Sequence, residues 1–123
     1  MESLVEQRSS PRVSVNIPAK LVSSIDRYFM VQIESLNESG FLCVSKKSLP
    51  LQTRVKLVIL LPKQGTELEK SLPVHGVGVV VREHLREESG ETRYAVAVKF
   101  SDLGAEEMRL LKQFISIFYS LNG

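Results

Sequence analysis

Two arginines spaced four residues apart are the side chains in this sequence best suited to hold a ligand. Arg8 and Arg12 lie just before the first strand-like segment, and Pro11 stiffens the backbone between them. A guanidinium group pairs bidentately with phosphate oxygens and with the O6 and N7 edge of guanine, and it also stacks on base faces. The pair therefore fits an anionic purine ligand, although two arginines in a terminal arm are also common as a solvated feature.

The other residue types that support catalysis do not form a recognisable group. His75 and His84 are nine residues apart, which matches neither a helical metal pair nor a zinc-binding pattern. Cys43 has apolar neighbours and no fixed base nearby in sequence, so we expect a buried packing thiol rather than a nucleophile. The acidic residues within 87–91 are expected to form a solvated turn. We therefore predict no catalytic residue, no metal ligand and no enzymatic activity.

Length and composition favour one cytoplasmic domain. The 123 residues are 43% hydrophobic and 24% charged, close to the averages for globular domains. No apolar run approaches the ~20 residues of a membrane helix, and the N-terminal residues lack the apolar block of a signal peptide. A single cysteine excludes an internal disulfide and is consistent with a reducing compartment. The net charge of +2 argues against bulk binding of a nucleic-acid polymer.

Most of the chain alternates apolar and polar residues with the period of two that is typical of strands. The predicted strands cover residues 13–21, 29–34, 41–45, 55–61, 72–82 and 92–100. Several short strands with turn residues between them predict a mainly β fold, a closed six-stranded antiparallel β-barrel.

Three local features within this pattern carry predictions of their own. In the fifth strand, Val74 has the opposite parity from Val77, Val79 and Val81, so we predict a β-bulge near Gly76. Residues 37–40 form a tight turn in which Gly40 can supply a positive φ. Residues 86–91 are predicted to form a charged hairpin loop.

After Phe100 the apolar spacing becomes helical. Asp102 is predicted to cap the helix, and Glu106 and Glu107 suit the positive end of its dipole. Eight apolar residues then form a stripe wider than a surface helix requires. They are Met108, Leu110, Leu111, Phe114, Ile115, Ile117, Phe118 and Leu121. We predict that the helix covers one end of the barrel and that part of its stripe forms a possible homodimer or partner interface.

The order of these features resembles the PilZ domain family over about residues 6–119. That family has an RxxxR motif in its N-terminal arm, which is similar to Arg8-Ser-Ser-Pro-Arg12 here. It also has a (D/N)xSxxG motif between its second and third strands, which is similar to residues 35–40 here. The resemblance implies a split β-barrel with a C-terminal α-helix.

The resemblance also implies a ligand, cyclic di-GMP, bound at the barrel surface. By this resemblance Arg8 and Arg12 grip phosphates and guanine edges, and Gly40 matches the glycine of the second motif. Two positions depart from that motif, since Ser35 stands at its Asp/Asn position and Asn37 at its Ser position. Ser35 supplies no carboxylate acceptor for the guanine N1 and N2 donors. Asn37 is predicted to compensate because an amide both donates and accepts.

The function implied is a cyclic di-GMP receptor or adaptor that transmits the messenger to an unknown effector protein as the N-terminal arm orders over the ligand. No further cofactor is expected. The corresponding domain limits are a flexible tail at 1–7, the PilZ-like domain at 8–119 and a tail at 120–123. The altered second motif also leaves open a degenerate PilZ domain that binds no nucleotide and acts as a protein-interaction adaptor in motility, pilus or polysaccharide systems.

Overall fold

The protein folds into six antiparallel strands and a C-terminal helix in a computed structural model that describes residues 11–24, 27–62 and 71–122. The elements are β1 (Val13–Ser24), β2 (Arg27–Asn37), β3 (Gly40–Ser45), β4 (Arg54–Pro62), β5 (Ser71–Glu88), β6 (Glu91–Leu103) and α1 (Ala105–Asn122). The strands close into a barrel in the order β1-β2-β3-β6-β5-β4. The predicted fold class is therefore confirmed.

Alternation along the strands places one face of each in the barrel interior. In β4 the odd positions from Val55 to Leu61 are buried, while Arg54, Lys56 and Pro62 are exposed. Fully burying such a valine or leucine side chain stabilises the fold by roughly 1.5–3 kcal/mol. The interior of the barrel is therefore built from the apolar positions that the sequence pattern marks.

The β5 strand departs from the predicted phase. Its pairing with β6 shifts between Val77 and Gly78, close to the predicted bulge, but the inward face stays on even positions there. Val74 and Val80 are both fully buried, whereas Val81 is 47% exposed. The burial phase changes only at a second bulge, between Val80 and Arg82. The inward positions between Val74 and Val80 are Gly76 and Gly78, which have no apolar side chain. The sequence therefore did not show that apolar residues continue on even positions as far as Val80.

The hairpin between β5 and β6 is also tighter than predicted. The strands pair as far as Glu88 and Glu91, which leaves a turn of only Ser89 and Gly90. Both turn residues have positive φ, 52° and 78°, as a type I′ turn requires. The predicted loop at 86–91 is therefore wrong, because a ribbon exposed on both faces accepts charged side chains as readily as a loop does.

Helix α1 begins at Ala105, later than predicted. Asp102 does not cap it, because this residue still pairs with Val77 in the β5–β6 ladder. The first turn instead starts from Gly104, whose carbonyl oxygen accepts a hydrogen bond from the Met108 N–H at 2.9 Å. The acidic pair predicted for the first turn is present there.

The helix contacts β5, β1 and β2, and a small pocket separates it from the end of β4 and the start of β5, so it lies at one end of the barrel as predicted. Leu111, Phe114 and Ile115 are buried in the barrel core. Ile117 and Tyr119 are 37% and 53% exposed, so the outer side carries apolar surface, and dimerisation through it stays a prediction. The helix continues to Asn122, three residues past the predicted domain end. No helix in the described ranges has the length and hydropathy of a membrane span.

Candidate functional site

A groove of about 590 Å³ lies beside the β2–β3 turn, and we call it the β2–β3 groove. It is lined by the end of the N-terminal arm, by the turn and by the outer faces of β3, β5 and β6. Residues that define it include Arg12, Ser35, Asn37, Gly40, Leu42, Arg82, Ala97 and Lys99. The structure thus brings four of the five predicted ligand residues to one place. The fifth, Arg8, lies outside the described residues, as does the predicted tail at 1–7.

Strand register explains why these side chains meet. Ser35 lies opposite Leu42, Leu42 opposite Ala97, and Ala97 opposite Arg82. Residues directly opposite each other in antiparallel strands point to the same face of the sheet. A row of four neighbouring strands therefore presents a hydroxyl, two small or branched apolar side chains and a guanidinium on the outer face of the barrel.

Arg12 is anchored at one side of the groove. Its Nη1 donates a hydrogen bond to the Ser35 hydroxyl at 3.2 Å, and its side chain is otherwise exposed. A guanidinium carries five N–H donors, so the contact orients the group while most of its donors remain available. The arrangement suits an arginine that points at a ligand with several acceptor oxygens.

Asn37 is engaged in holding the turn. Its Oδ1 accepts hydrogen bonds from the Ser39 N–H at 2.9 Å, the Ser39 hydroxyl at 2.9 Å and the Gly40 N–H at 3.1 Å. Such side-chain to backbone bonds are typical of asparagine in turns. Asn37 thus offers a ligand only the donors of its Nδ2 amide, and the predicted accepting role is not retained in this geometry.

Gly40 is required for close packing rather than for a special backbone conformation. Its φ is not positive, so that prediction is wrong. A Cβ at this position would lie 2.1 Å from the carbonyl oxygen of Val98, far inside any normal contact. The missing side chain lets β3 approach β6, and this approach forms the edge of the groove.

The sequence analysis missed two further cations that reach the groove. Arg82 arrives there because the bulge after Val80 turns it onto the same face as Ala97, and Lys99 lies opposite Gly40. Within the described ranges, neither of them nor Arg12 forms an ion pair, and no acidic residue lines the groove. The sequence analysis had placed the phase shift of β5 near Gly76, before the bulge that follows Val80, and so could not identify Arg82 as a groove residue.

The candidate catalytic residues lie elsewhere. Cys43 is fully buried, and this burial, with a smaller contribution from nearby Glu34, raises the pKa of its thiol to about 12. It is therefore a neutral packing thiol at physiological pH, as predicted. His75 and His84 are exposed on β5. Among the residues that the structure describes, no cluster of three potential metal ligands occurs.

Comparison with known families places this arrangement in context. The model of the PilZ domain family matches residues 6–116. The chain belongs to the PilZ domain family. The match covers both the segment before β1 and the β2–β3 turn, so the groove lies within the PilZ domain. A comparison with curated protein sequences gave no match.

Solved structures show the same PilZ fold at low sequence identity. The inhibitor of motility MotI/DgrA from Bacillus subtilis aligns with a TM-score of 0.75 and 19% identity, over 94% of this chain and 52% of MotI. The PilZ domain of YcgR from Escherichia coli, solved with c-di-GMP, has a TM-score of 0.72 and 12% identity, over 94% of both chains. The MrkH–c-di-GMP complex from K. pneumonia has a TM-score of 0.68 and 15% identity, over 94% and 53%. This chain thus spans about half the length of MotI and MrkH.

Proposed function

We propose that this PilZ domain binds cyclic di-GMP in the β2–β3 groove and performs no chemistry on it. The observation that carries the proposal is the set of cations Arg12, Arg82 and Lys99, which converge on one concave surface without carboxylate partners in the described residues. Cyclic di-GMP carries two phosphates, and cations concentrated in a cleft attract such an anion. A volume of about 590 Å³ is also typical of small-molecule sites.

Each part of the groove suits one part of the ligand. Arg12 donates paired hydrogen bonds to a phosphate or to the O6 and N7 edge of a guanine, while Arg82 and Lys99 contact phosphate. The Nδ2 amide of Asn37 adds donors beside them. Leu42 and Ala97 form a half-buried apolar floor against which a base can lie. Arg8, four residues before Arg12, would add a second guanidinium from the arm.

Family relationships support the ligand and the kind of output. YcgR and MrkH have been solved with c-di-GMP, and MotI is described as an inhibitor of motility. We propose that this protein is a cytoplasmic receptor of the same type. Ligand in the groove would bridge the arm and the β2–β3 turn, and the surface so formed would be read by an effector protein.

Calorimetric titration with cyclic di-GMP tests the proposal. Arg12→Ala is expected to weaken binding at least ~tenfold, since a hydrogen bond to a charged group contributes about 1.5–3 kcal/mol. Arg93→Ala is the matched control, because Arg93 pairs with Glu91 in the β5–β6 hairpin, away from the groove. Equal affinities of wild type, Arg12→Ala and Arg93→Ala would place the ligand elsewhere.

A second function, a PilZ domain that binds no nucleotide and acts as a protein-interaction adaptor, is favoured by one specific feature. Ser35 offers no carboxylate, and the Asn37 Oδ1 is already used within the turn. A folded wild-type protein that gives no binding heat with cyclic di-GMP at ligand concentrations of hundreds of micromolar would support this function instead.

A further inference from the structure

The hydrogen-bonding groups of the β2–β3 groove decide which edge of a purine it can read. We propose that the groove recognises its ligand through phosphates and the O6 and N7 edge, and leaves the guanine 2-amino group unread. Cyclic di-IMP, which differs from cyclic di-GMP only by lacking the 2-amino group on both bases, should then bind about equally well. The inference rests on the proposed function and specifies the ligand class of the same site.

The described residues of the groove are poor in acceptors. Guanine presents N1–H and the 2-amino group as donors, and these need acceptor atoms. The Asn37 Oδ1 already accepts three hydrogen bonds, more than the two lone pairs of a carbonyl oxygen. The remaining side-chain acceptors are the hydroxyl oxygens of Ser35, which already accepts one hydrogen bond from Arg12, and of Ser39, and both are neutral. In the part of the chain that the structure describes, no carboxylate lines the groove to receive both donors at once.

Donors, in contrast, are abundant there. Arg12, Arg82, Lys99 and the Asn37 Nδ2 all present N–H groups, and none of the first three has a carboxylate partner in the described ranges. These donors complement phosphate oxygens, O6 and N7, which guanine and hypoxanthine share. Adenine places an amino group where they place O6, so two donors would face each other. The expected order is cyclic di-GMP equal to cyclic di-IMP, with cyclic di-AMP at least ~fivefold weaker.

The experiment measures the ratio of two dissociation constants, cyclic di-IMP over cyclic di-GMP, by calorimetry on the full chain. If neither 2-amino group is recognised, the ratio should be near one. A ratio of ~fivefold or more, the contribution of a formed hydrogen bond, would overturn the inference while leaving cyclic di-GMP binding intact. If neither dinucleotide binds, the proposed function itself is overturned, and the inference with it.

A gain-of-recognition variant sharpens the test. Ser35→Asp introduces the missing carboxylate beside the groove and should raise the cyclic di-IMP to cyclic di-GMP ratio several-fold, because the 2-amino group then has an acceptor. Ser35→Leu is the matched control, since it has nearly the shape of aspartate but no acceptor oxygen. The ratio cancels any general loss of anion affinity caused by the added negative charge. An unchanged ratio in Ser35→Asp, with the fold retained by circular dichroism, would overturn the inference, because the missing acceptor at this position would then not be the reason that the 2-amino group is unread.

Discussion

The β2–β3 turn and the β5–β6 turn lie near opposite ends of β6 and are stabilised in different ways. The β2–β3 turn is held by the side-chain oxygen of Asn37 and by the close approach at Gly40. The β5–β6 turn instead depends on positive φ at Ser89 and Gly90. The backbone of one turn is held by contacts to neighbouring groups, and that of the other is set by the conformations of its two central residues.

Their arginines differ in the same way. In the β5–β6 hairpin, Arg86 donates two hydrogen bonds to Glu34 and one to Glu88, and the bond with Glu34 is the main cause of its raised pKa. Arg12 at the β2–β3 groove has only a hydroxyl partner among the described residues. Exposed ion pairs contribute little to stability, so pairing mainly neutralises charge. Cations left unpaired on one face create the positive potential that an anionic ligand needs.

The largest effect that separates the two turns is expected from alanine at their glycines. Gly40→Ala forces a Cβ into the Val98 carbonyl and should lower the free energy of unfolding by about 3 kcal/mol, at the upper end for overpacking. Gly90→Ala has open space and only a positive φ of 78°, so it should lose about 1 kcal/mol. Urea denaturation measures both. Equal losses would contradict the close packing of β3 against β6 that we assign to Gly40.

Removing the side-chain acceptor of the β2–β3 turn comes next. Asn37→Ala leaves the N–H groups of Ser39 and Gly40 without their partner and should reduce the free energy of unfolding by about 1–2 kcal/mol. Asn37→Asp retains an acceptor oxygen and should lose less, yet it should weaken cyclic di-GMP binding because it adds a negative charge at the groove. Thermal unfolding and calorimetry together separate the two effects. A fully stable Asn37→Ala protein would contradict the role assigned to this oxygen.

The barrel was predictable because strand alternation is a local pattern, and the two short motifs placed Arg12, Ser35, Asn37 and Gly40 correctly relative to the strands. The groove's other cations were not predictable, because Arg82 reaches it only through a bulge set by pairing with β6. Such a shift depends on contacts between distant residues, as did the retention of Asp102 in a strand. The occupied oxygen of Asn37 likewise follows from turn geometry, which residue type alone does not determine.

The cations that the sequence analysis missed should have a smaller effect on affinity than Arg12. Arg82→Ala or Lys99→Ala each removes one charge near a phosphate, worth about 1 kcal/mol at 4 Å in water, so each should weaken cyclic di-GMP binding about fivefold. Raising the salt concentration should reduce this difference because screening acts on exposed charges. Lys112→Ala, at an exposed position of α1, is the control. Unchanged affinity in both groove variants would remove these two residues from the site.

The smallest effect is expected where an arginine is already paired. Arg86→Gln should cost less than about 1 kcal/mol of stability, the range of exposed salt bridges. It also frees the carboxylate of Glu34, which precedes Ser35 in β2, so affinity should fall at most about twofold at physiological salt. The double variant Glu34→Gln/Arg86→Gln should restore it, because the uncompensated charge is gone. A loss of affinity as large as that of Arg12→Ala, not restored in the double variant, would show that Arg86 contacts the ligand. Ion-paired arginines would then bind the ligand as unpaired ones do, and the contrast between the two hairpins would not hold.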